Sequence, residues 1–110
     1  MNKKQWQDIY EILDRIHSDF LLAYPTYKNG KNKKIRSDAE RTVDNSISLA
    51  DYHVRQNWEV YELFTGGSDP KISDYSRAII YDKFRRPHYF GGDVSKLLAQ
   101  IREKINSLEE

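Results

Sequence analysis

A chain of 110 residues is one domain's worth, and 38% apolar against 32% charged residues is a globular composition on the polar side, with enough for one core. It has no cysteine, which excludes a disulfide framework and thiolate metal sites, and a net charge of +1 excludes a global field drawing it to nucleic acid. No apolar run approaches the roughly 20 residues needed to cross a bilayer, and Met1 to Trp6 lacks the apolar stretch of a secretory leader; a single cytoplasmic domain over residues 1–110, without a membrane role, is expected.

The first predicted element is a helix of about five turns. Trp6, Ile9, Tyr10, Leu13, Ile16, His17, Phe20, Leu21 and Tyr24 recur at spacings of three and four, the period of one helix face. Pro25 is expected to end it, because proline disfavours helical geometry in the residue before it. Pro25 to Arg36 then reads as a loop. Asn29-Gly30 is a turn signal, and Lys28, Lys31, Lys33, Lys34 and Arg36 follow no apolar period. No acid interrupts this window between Asp19 and Asp38.

Ser37-Asp38-Ala39-Glu40 fits a capping box, so a second helix is expected to start there. Val43, Ile47, Ala50, Val54, Asn57, Tyr61 and Phe64 continue one phase to the Gly66-Gly67 stop. An unbroken helix over residues 38–64 would be about 40 Å long; Asp44-Asn45-Ser46 is its weak point for a kink. A rival reading places a β-hairpin within residues 57–84, since Trp58 to Phe64 and Ala78 to Tyr81 are rich in strand formers. The helical reading starts a third helix at Asp69-Pro70 or at Ser73. Arg86-Pro87 closes that element, Tyr89-Phe90-Gly91-Gly92 reads as a turn, and Asp93 caps a last helix with the stripe Val94, Leu97, Leu98, Ile101, Ile105 and Leu108. The expected fold is all-α, a small bundle of about four helices including one long central helix; the alternative is α+β with a hairpin within residues 57–84.

Catalytic patterns are missing. No serine sits in a Gly-x-Ser-x-Gly elbow, and Gly66-Gly67-Ser68 lacks the Gly-Lys-Ser/Thr ending of a phosphate loop. Gly91-Gly92 precedes a predicted helix, but Asp93 takes the place an anion would need. His17 and Asp14 are too few ligands for a metal, Asp51 and His53 lie two apart on a helix and do not face each other, and His88 belongs with the arginines before it. No catalytic, cofactor-binding or metal-binding residue is assigned, no cofactor is expected, and the protein is read as a non-enzyme.

Binding chemistry is more visible. Lys28, Lys31, Lys33, Lys34 and Arg36, beside Tyr24 and Tyr27, form one basic-aromatic patch; Arg85, Arg86, His88 and Tyr89, with Phe84 and Phe90, form a second. Cations for phosphates and aromatic faces for bases are what single-stranded nucleic acid needs. Eight tyrosines and two tryptophans are more than a small core takes, so part of Tyr52, Trp58, Tyr61, Tyr75, Tyr81 and Tyr89 is expected outside it. Trp58, Tyr61 and Tyr27 are the candidates for a protein interface. The elements flanking Pro87 to Gly92 have the order of a helix-turn-helix, but their connection is longer than its usual three or four residues. The functional expectation is a small regulator, inhibitor or accessory subunit, of the kind found in phages and mobile elements by analogy, that binds another protein. Nucleic acid is the alternative partner, a homodimer is a further one, and a small enzyme ranks third.

Overall fold

The computed structural model describes residues 1–65 and 87–108. These form four helices and no strand: α1 over Lys3–Asn29, α2 over Lys33–Gln56, α3 over Trp58–Thr65 and α4 over Pro87–Ser107. The all-α reading holds. The first arm of the alternative hairpin is α3; its second arm, like the Asp69-Pro70 and Ser73 helix starts, lies outside the described residues.

α1 starts on a capping box that the sequence reading passed over. Asn2 Oδ1 accepts from the Gln5 amide at 2.9 Å, and Gln5 Oε1 accepts from the Asn2 amide at 2.8 Å. Trp6, Ile9, Leu13, Ile16 and Phe20 form its buried stripe. Pro25 does not end the helix, which runs through it to Asn29. An internal proline forfeits one backbone hydrogen bond and costs about 3 kcal/mol. Packing on either side of it offsets that cost: Tyr24 and Tyr27 lie against the core, Tyr24 stacks on Phe20 at 5.1 Å, and Tyr27 sits 6.0 Å from Tyr24.

The expected loop over residues 25–36 is therefore a tight joint at residues 30–32 between two helices. Gly30 is required by close approach: a Cβ there would stand 2.6 Å from the Thr26 carbonyl oxygen and 2.9 Å from Arg36 Cγ. Asn32, not Ser37, caps α2, accepting from the Ile35 amide at 2.9 Å. Ile35 stands one turn before Ala39 but is 42% exposed, so the buried stripe begins only at Ala39.

The long central helix is continuous through its weak point and fails further on. Asp44-Asn45-Ser46 makes no break; Ser46 is buried and its hydroxyl donates to the Thr42 carbonyl at 2.9 Å. The long helix breaks instead at Asn57, whose backbone is extended at φ −125° and ψ 103°. Its side-chain amide donates to the His53 carbonyl at 3.0 Å, and its own carbonyl accepts from the Tyr61 amide at 2.9 Å to begin α3. Beyond the bend, Val60 and Tyr61 lie in the core.

The last helix starts at Pro87, so the expected turn at 89–92 and the Asp93 cap are both replaced by helix. Each mid-helix glycine costs about 1 kcal/mol. Gly91 has a packing reason to be one: a Cβ would lie 3.1 Å from the Phe20 ring. The missing side chain lets α4 close on α1. Phe90 is fully buried edge-on against Phe20 at 4.7 Å, worth about 2–3 kcal/mol by burial alone. The His17 imidazole Nε2 donates to the Gly91 carbonyl at 3.2 Å, and Arg102 donates to the Tyr10 hydroxyl. These pairs run in opposite directions along the two helices, so α4 is antiparallel to α1. α3 packs on α2 and α4.

Candidate docking surface

α1 carries apolar residues on two flanks. Tyr10 and His17 turn toward α4, as above. On the other flank Ile12, Ala23 and Leu22 meet the outer side of α2. There Ile12, Ile16 and Leu49 floor a hollow of about 590 Å³ whose rim carries Asp8, Glu11 and Arg15. Further along the same seam Leu22, Ala23, Ile35 and Ala39 floor a second hollow of about 490 Å³, rimmed by Asp19 and Asp38. Antiparallel α1 and α2 produce this sequence of partners: the start of α1 lies beside His53 and Asn57, and its end beside Ile35.

Four branched aliphatics stay open to solvent on this seam: Leu22 at 79%, Leu49 at 50%, Ile35 at 42% and Ile12 at 39% exposure. Single exposed aliphatics are ordinary, but adjoining ones in a concave seam mark interaction sites. The rim is acidic, with four carboxylates against one guanidinium. Asp8 is paired with Lys4 at 3.1 Å; Glu11, Asp19 and Asp38 make no ion pair among the described residues. The local sign is thus opposite to the chain's net charge of +1.

This seam is not among the features expected from the residue pattern. Ile12, Leu22 and Leu49 fall outside the stripes that define the core, and that out-of-phase position was the available signal. Leu21 was counted into the stripe but is exposed.

The lysine patch is a real cluster, though not a loop. Lys28 ends α1, Lys31 lies in the joint, and Lys33, Lys34 and Arg36 occupy the first turn of α2, so all five cations gather at one tip of the helical hairpin and all are exposed. Arg36 donates to the Gly30 carbonyl at 2.8 Å, and Lys28 Nζ lies 5.9 Å from the Tyr27 ring centre. Tyr27 is half-buried against the core, so the tip offers charge with little open aromatic face. Of the second patch, Arg85 and Arg86 lie outside the described residues, and His88 and Tyr89 fall in the first turn of α4. Trp58 is 41% exposed and stacks on Tyr61 at 5.2 Å; Tyr61 itself is 1% exposed and belongs to the core.

No group of three or more histidine, aspartate or glutamate side chains is placed to hold a metal ion among the described residues, and no described helix is long and apolar enough to cross a membrane. The chain matches no protein-family model, no curated protein and no solved structure.

Proposed function

We propose that the protein is a non-enzymatic regulator, inhibitor or accessory subunit that takes a protein partner along the open seam between α1 and α2. The carrying observation is the set of four exposed aliphatics in two adjoining hollows, Ile12 with Leu49 and Leu22 with Ile35. Fully burying each such side chain is worth about 1.5–3 kcal/mol, the scale of an interface anchor.

The test is capture from native lysate, with and without nuclease, by the wild type and two variants. Leu22→Asp with Leu49→Asp breaks the seam; Lys31→Glu, Lys33→Glu and Lys34→Glu together break the tip. Circular dichroism checks that each keeps its helices. The proposal expects a nuclease-resistant protein partner that the seam variant loses and the tip variant keeps.

The second reading, nucleic-acid binding at the tip, rests on five clustered cations, of which Lys31, Lys33 and Lys34 make no ion pair among the described residues. It expects the reverse pattern, together with a steep fall of affinity with salt.

A further inference from the structure

We infer that the segment occupying the α1–α2 seam is a cationic amphipathic helix of the partner. This rests on the docking reading and adds the partner's chemistry. The shape argues for a helix. Two antiparallel helices leave a straight groove, and a third helix fills such a groove with its axis about 8–10 Å from each neighbour. A strand would need an unpaired sheet edge to pair with, and the described residues contain no sheet.

The length of the groove sets the spacing. From Ile12 to Leu22 along α1 is roughly 15 Å, and from Ile35 to Leu49 along α2 roughly 21 Å, at 1.5 Å per residue. A docked helix therefore needs apolar side chains about 10 to 14 residues apart, on one face, to enter both hollows.

Charge sets the sign. Asp8, Glu11, Asp19 and Asp38 line the hollows with Arg15 and His53, and Lys4 pairs with Asp8 at 3.1 Å, which leaves acid in excess. Lysines and arginines flanking the apolar face of the incoming helix would meet them. A second copy of this chain laid seam to seam would bring carboxylates against carboxylates, and a phosphate backbone would meet the same repulsion.

The probe is a designed peptide of about 18 residues, roughly 27 Å of helix, with leucine on one face and lysine on the other. Its control carries glutamate in place of lysine. Fluorescence anisotropy against the full chain is expected to show the leucine-lysine peptide binding at least about tenfold tighter than the control. Asp19→Asn with Asp38→Asn should reduce that preference about tenfold, and Leu22→Asp with Leu49→Asp should abolish binding.

Equal or tighter binding of the glutamate peptide would overturn the charge assignment while leaving the docking surface standing. Leucine-lysine binding that ignores the Leu22 and Leu49 changes would place the peptide elsewhere and overturn the inference. So would sedimentation showing a dimer that Leu49→Asp splits, since the occupant would then be a second copy. Failure of the docking reading itself shows separately, as lysate capture that survives the seam variant.

Discussion

The two flanks of α1 have opposite fates. Toward α4, Tyr10 and His17 are half-buried, tied by the His17–Gly91 and Arg102–Tyr10 hydrogen bonds and by the contact of Phe20 with Phe90. Toward the outer side of α2, Ile12 and Leu22 stay in water beside carboxylates. The first flank found its partner inside the chain. The second has the same need and no described element to meet it, which is why we place function there.

Mutations can break or sharpen that contrast. The largest effect belongs to the closed flank. Phe20→Ala removes the ring shared by Tyr24 and Phe90, and should lower unfolding free energy by about 4 kcal/mol in urea titration. A loss under about 1 kcal/mol would mean that α4 is not held there.

Next comes the approach of α4. Gly91→Val forces a side chain against the Phe20 ring and should cost about 2 kcal/mol by the same measurement. Its neighbour is the control. A Cβ at Gly92 meets nothing within 4 Å, so Gly92→Ala should stabilise by about 0.5–1 kcal/mol, seen as a rise in Tm. Equal signs at the two glycines would refute the close-packing account of Gly91.

The smallest effect falls on the open flank. Leu22→Ser and Leu49→Ser should each change stability by less than about 0.5 kcal/mol, because little is buried there to lose. Those same positions are the ones whose change is expected to cost binding in the lysate and peptide experiments. A pair of residues neutral to folding and decisive for capture would separate the flanks by function as the structure separates them by burial.

Much of this fold is legible along the chain. The stripe from Trp6 to Phe20 and the one from Val94 to Ile101 are buried as their period demands, and Val43, Ile47, Ala50 and Val54 follow. Helix ends are less legible, because each is a contest between a local signal and packing. Pro25 is a strong local stop, overridden by Tyr24 and Tyr27 on the core. Gly91-Gly92 is a turn signal, overridden by the room Phe20 needs. Ser37 is a good cap, preempted by Asn32, whose side chain accepts from the Ile35 amide a turn earlier. Asn57 gave little warning, since the apolar phase runs past it unbroken.

The basic residues expected in a loop stand instead mostly on helix ends. The five cations meet at one tip because α1 and α2 extend toward each other until three residues join them.

By itself, then, the amino-acid order determined that this protein is helical and which stripes face inward, because periodicity is a local property that backbone geometry imposes. Only the tertiary structure decided where helices start and stop, and which apolar side chains outside the stripes remain uncovered. Both depend on what another helix brings within reach, and that proximity is set by the packing of the whole core.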